Sequence, residues 1–258
     1  MLLGMNYYMC VSGIIRAYFV FKRKTSHIFI LVVSGLVVTL VEATVSYLWL
    51  YLKTDVEVAL GFITLITWQL MIQIPIWIYT LRIQSLVGYD YKIIRYARAA
   101  PFVVLLSQIP SGIGFGIAMY NYELWSYFVI TSAITTVVAC IVEVIMYAFL
   151  MNRVKVMFQY RKNIKRQMAT ELTLSMVLLI AIDIALVGLK LSKFNLAPLS
   201  LPSPVVQMDN ALRPFSYMLR INIAIQFFDD LLEKVNNRPK TTESYARWFN
   251  SNGSGSNE

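Results

Sequence analysis

Arg153-Val-Lys-Val-Met-Phe-Gln-Tyr-Arg-Lys-Asn-Ile-Lys-Arg166 holds six basic residues in fourteen and no acid. It lies between two apolar runs, Ser126–Met151 and Leu172–Leu191, each long enough for a helix to cross a bilayer core of about 30 Å. Similar clusters recur at every second connector. Lys22, Arg23 and Lys24 follow the first apolar run, Arg82, Lys92, Arg95 and Arg98 the third, and Lys234, Arg238, Lys240 and Arg247 the seventh. Together these four places hold seventeen of the twenty-three Lys and Arg residues, whereas the alternate connectors and their helix ends hold Lys53, Lys190, Lys193 and Arg213. Positive residues are retained on the cytoplasmic side during insertion. The alternation therefore predicts an all-α integral membrane protein, a bundle of seven transmembrane helices with its N-terminus outside and its C-terminus cytoplasmic. Cysteines introduced at Thr54 and Ser200 are expected to react with an impermeant thiol reagent on intact cells, and cysteines at Ser26 and Asn163 to stay unlabelled. The reverse pattern would invert the topology.

The predicted spans are Leu2–Phe21, His27–Tyr51, Val58–Ile83, Ala100–Tyr120, Ser126–Met151, Leu172–Leu191 and Ala211–Leu232. Tyr47, Trp49 and Tyr51, and then Tyr120, Tyr122 and Trp125, gather where an interfacial aromatic belt belongs. Residues 1–236 form the membrane domain. Residues 237–258 read as a disordered polar cytoplasmic tail, so the Asn252-Gly-Ser254 glycosylation triplet in it goes unused. A cleaved signal peptide is not expected, because Arg16 interrupts the first apolar run.

Hydrophobic residues make up 58% of the chain and charged residues 14%, far from the roughly 25% charged of soluble domains. The net charge of +9 sits beside apolar spans, which points to anionic inner-leaflet lipid as a partner rather than nucleic acid. His27 is the single histidine, so multi-histidine metal centres are excluded. No nucleophile elbow or glycine-rich phosphate loop is present, and the seventh span lacks a lysine for a retinal Schiff base. Neither an enzyme nor a resident cofactor or metal is expected. Cys10 and Cys140 both fall within spans and cannot join two loops.

Ionisable groups at membrane depth are costly and face the bundle interior or a wet cavity. Counting from the span ends puts Glu42, Asp183 and Arg220 at a common depth, roughly 10–15 Å below the outer surface. Arg220 is expected to meet Asp183, Glu42 or both, directly or through water, with Arg16 and Glu143 deeper towards the cytoplasm, unless Arg16 snorkels inwards and needs no partner. Gln69 and Gln73 share a face of the third span. Glu42, Gln69, Gln73, Asp183 and Arg220 are thus the candidate ligand pocket, or else a buried polar network that locks helices together. Gly112 and Gly116 form a small-xxx-small pair suited to close helix packing or a dimer contact. Asp229 and Asp230 open an amphipathic stretch that either ends the seventh helix or turns along the membrane. Arg161, Lys162, Lys165 and Arg166 are the candidate docking residues for anionic lipid or for a cytoplasmic signalling partner such as a G protein.

Seven spans, an external N-terminus and a long basic third inner loop resemble the general plan of G-protein-coupled receptors. The resemblance is architectural. The Leu81-Arg82-Ile83 triplet keeps only the arginine of the usual acidic-Arg-aromatic motif, and Pro214 to Tyr217 has Pro-x-x-Tyr spacing at the opposite end of its helix. It implies a plasma-membrane receptor that transmits a signal, with a small-solute or ion transporter or channel, or a non-catalytic accessory membrane protein, as the alternatives.

Overall fold

The computed structural model describes residues 2–21, 26–51, 57–87, 91–121, 125–157, 162–192 and 212–227. Among them all residues but Phe21, Ser26 and Asn121 are helical. The helices are α1 (Leu2–Val20), α2 (His27–Tyr51), α3 (Glu57–Val87), α4 (Tyr91–Tyr120), α5 (Trp125–Met157), α6 (Lys162–Ser192) and α7 (212–227). The seven elements correspond to the seven predicted spans. Five of them, within α2 to α6, are long and apolar enough to cross a membrane.

Lipid offers the backbone no hydrogen-bond partner, so each span closes its own bonds as a helix. Pro75, Pro101 and Pro110 sit inside α3 and α4 without ending them. The predicted boundaries are too short on the basic side. α3 runs on to Val87, α4 starts at Tyr91 rather than Ala100, α5 reaches Met157 and α6 starts at Lys162. Lys92, Arg95, Arg98, Lys155 and Arg166 are therefore exposed residues of helices that continue past the apolar segment. At about 1.5 Å per residue a helix as long as α5 extends some 50 Å, well beyond the hydrocarbon core. Arg161, Asp229 and Asp230, and the predicted tail lie outside the described residues.

Consecutive helices fold back on one another from α1 to α6, and α3 also packs on α5. Short connectors impose this up-and-down course. α7 occupies the middle. Asn222 donates to the Met9 carbonyl of α1 at 3.5 Å, Ile221 packs beside Gly35 of α2, and Arg82 of α3 donates to the Ala224 carbonyl. Arg220 reaches α5 and α6. Leu36, Met71, Ile72, Ile76, Met146, Leu150, Met218 and Ile225 fill the apolar core around it.

The polarity of the surface is inverted relative to a soluble protein. Leu106, Leu174, Ile184 and Phe19 face outwards, whereas Thr39, Thr80, Ser111, Glu42, Arg82 and Arg220 are almost fully buried. Soluble proteins rarely expose so large a continuous apolar surface. The protein is membrane-embedded, with lipid covering this surface.

Candidate functional site

α7 carries one arginine at its centre, and the two neighbouring helices each contribute a carboxylate to it. One terminal nitrogen of Arg220 donates to Glu143 Oε2 of α5, and the other donates to Asp183 Oδ1 of α6. The planar guanidinium fork suits this two-armed contact better than a lysine point charge would. The Tyr217 ring lies 4.7 Å from Arg220 Cζ, so the cation also rests on an aromatic face one turn away. All three charged side chains are essentially inaccessible. The cluster ties α5, α6 and α7 together away from the surface, and it holds one more carboxylate than guanidinium.

The expected meeting of Arg220 with Asp183 is present. The second partner is Glu143, not Glu42. Counting depth from span ends assumed that all helices begin in one plane. In the packed bundle Glu143 stands level with Arg220 all the same.

Glu42 belongs to a separate network nearer the opposite end of α7. Thr67 of α3 donates to Glu42 Oε2, Ser46 donates to Oε1 at 3.2 Å, and Arg213 of α7 lies 3.6 Å from Oε1. Gln73 forms a third group. Its amide donates to Gln108 Oε1 of α4 at 3.1 Å, and the Gln108 amide donates to the Gln69 backbone carbonyl, also at 3.1 Å. Gln69 thus joins this interhelical clasp through its main chain. Its side chain lies against Gly112, where a Cβ would stand 2.8 Å from Gln69 Nε2, while Gly116 faces open space. Gly112 serves the approach of α4 to α3 within one chain. The five predicted pocket residues therefore fall into three clusters along the bundle.

Sequence reasoning passed over a fourth cluster and a cavity. Lys190, near the end of α6, donates to the Ser132 carbonyl at 3.3 Å and to Thr136, and it stands 5.2 Å from the Trp68 ring centroid. At the other end a cavity of about 230 Å³ opens among α3, α5, α6 and α7. Its polar lining is Tyr79, Arg82, Tyr147, Glu171, Ser175 and Gln226. Tyr79 and Tyr147 share a hydrogen bond of 3.0 Å between α3 and α5. Tyr147 lies one turn beyond Glu143, so the tyrosine pair connects the surroundings of the Arg220 cluster to those of the cavity. The signal for it was available. Tyr79 and Arg82 are three apart, and Glu171 and Ser175 are four apart, and a polar residue repeated at helical spacing inside a span marks an interior face.

Of the candidate docking residues, one has a described side chain. Arg166 is exposed on α6, about 7 Å along the helix from Glu171. Lys162 and Lys165 are on the first turn of the same helix, and their side chains, like the whole of Arg161, lie outside the described residues.

No protein-family model, curated protein sequence or solved structure matches the chain.

Proposed function

We propose that this protein is a receptor-like signal transducer of the plasma membrane, with its N-terminus outside and its basic end facing the cytoplasm. The observation that carries the reading is the bond from Arg82 to the Ala224 carbonyl at the wall of the basic-end cavity. It fastens α7 to α3 where α5 and α6 present their basic extensions. The same α7 is tied to α5 and α6 through Arg220, and to α2 through Arg213. A ligand that competes for these carboxylates favours a second arrangement of α5, α6 and α7 and thereby reshapes the cavity for a G protein or similar partner.

A transporter would use the same buried charges as a path. The described helices run unbroken through Pro75 and Pro110, whereas many transporters coordinate solutes at interrupted helices, and this favours the receptor reading.

Nucleotide exchange on heterotrimeric G proteins, measured with the purified protein in vesicles, tests the proposal. Wild type is expected to raise exchange above protein-free vesicles with at least one G-protein class. Neutralising Lys162, Lys165 and Arg166 together is expected to abolish that rise while orientation and surface level stay normal. Exchange that is never raised, combined with solute counterflow that Arg220→Met abolishes, would replace the receptor by a transporter. An accessory protein would show neither.

A further inference from the structure

We propose that the outward stripe of α1 binds an anionic phospholipid, with Arg16 holding its phosphate. Tyr8, Val11, Ser12, Ile15, Arg16 and Phe19 line a surface groove of about 540 Å³. Their three- and four-residue spacing places them on one face of the helix. The opposite face, through Cys10, Gly13 and Ala17, is buried against the bundle. The groove is therefore surface, not core.

Glu42, Glu143, Asp183 and Arg220 are each matched by an opposite charge inside the bundle. Arg16 is different. It is exposed and makes no hydrogen bond or ion pair among the described residues. A guanidinium near the end of a helix that faces lipid reaches towards the headgroups, where a phosphate is the anion on offer. A second copy of α1 does not supply one, because the helix has no acidic residue and a self-contact would bring two Arg16 side chains together.

A phospholipid meets every feature of the groove. Arg16 is four residues before the end of α1 at Val20, about 6 Å along the axis, so its flexible stem reaches the phosphate level. Acyl chains then lie over Val11, Ile15 and Tyr8, with Phe19 at the interface. The positive charge of Arg16 itself favours an anionic headgroup over a zwitterionic one.

Native mass spectrometry of the full chain, released from mixed phosphatidylglycerol and phosphatidylcholine vesicles, tests this. Wild type is expected to retain one phosphatidylglycerol in preference to phosphatidylcholine, by about fivefold for one fixed cation near the surface. Arg16→Gln loses that preference, Arg16→Lys keeps most of it, and neither changes the melting temperature, because the side chain supports no internal contact. The Arg16-dependent difference persists when Lys22, Arg23 and Lys24 are neutralised. Equal lipid ratios for wild type and Arg16→Gln would overturn the site. So would efficient disulfide cross-linking of two copies through a cysteine at Ile15, which would make the stripe a self-interface.

Discussion

Arg220→Ala is expected to destabilise the protein by about 3–5 kcal/mol, the usual cost of removing one partner from a buried ionic cluster. The loss comes from what is left behind. Without the guanidinium, Glu143 and Asp183 remain buried with like charges and no counter-ion between them. Denaturation in mixed micelles reads the change directly. A second substitution, Asp183→Asn or Glu143→Gln, is expected to recover part of the loss, whereas Glu42→Gln recovers none. That contrast separates the observed cluster from the pairing expected by depth alone. Rescue by Glu42→Gln and by neither of the others would mean that α7 is rotated or shifted from the arrangement described. Arg220→Lys is expected to fall between, because one ammonium cannot reproduce the two-armed contact. Replacing all three charges by apolar residues of similar volume is expected to be neutral or stabilising by about 1–4 kcal/mol, with any signalling lost.

Gly35→Ala is expected to cost about 1–3 kcal/mol, and Gly35→Leu more, by overpacking the contact of α2 with α3 and α7. A Cβ on Gly35 would stand 2.8 Å from Ile221 Cδ1 and 2.8 Å from Ile74 Cγ2. The Ile221 methyl ends a flexible side chain and is able to turn away. The Ile74 methyl is attached to Cβ, next to the backbone, so relieving that contact moves a helix. Ile221 is also the neighbour of Arg220, and displacing it disturbs the ionic cluster. Gly188 gives the control, because nothing lies within 4 Å of its added Cβ. Gly188→Ala is expected to be neutral or stabilising by up to about 1 kcal/mol through helix propensity. Melting curves of the three variants under one lipid condition decide it. A Gly35→Leu protein as stable as wild type would show that α7 does not pack where Ile221 places it.

The helical architecture was readable because bilayer physics leaves the backbone few choices. The Ser126–Met151 run had to close its own hydrogen bonds, and so did the other spans. The charge and apolar pattern likewise marked which groups would need burial partners. Glu42, Asp183 and Arg220 were singled out for that reason, and all three are buried and paired. The helix ends were misjudged where basic residues were taken for loop. Lys92, Arg95 and Arg98 are good helix formers once they clear the headgroups, so α4 begins well before Ala100. The Lys190 cluster and the Arg82 cavity went unseen because each is assembled from helices far apart in sequence.

By itself, then, the sequence determined that this is a membrane-embedded helical bundle with seven segments, an apolar outer surface and charged groups forced to the inside. These follow from the transfer of backbone and side chains between water and lipid, a property of each segment alone. Only the tertiary structure decided that Arg220 meets Glu143 beside Asp183, that Glu42 turns instead to Thr67 and Arg213, and that Gln73 binds Gln108. Those choices depend on how far each helix slides and rotates against its neighbours. Steric fit at positions such as Gly35 and Gly112 sets that slide, and a depth count along a single helix contains no information about it.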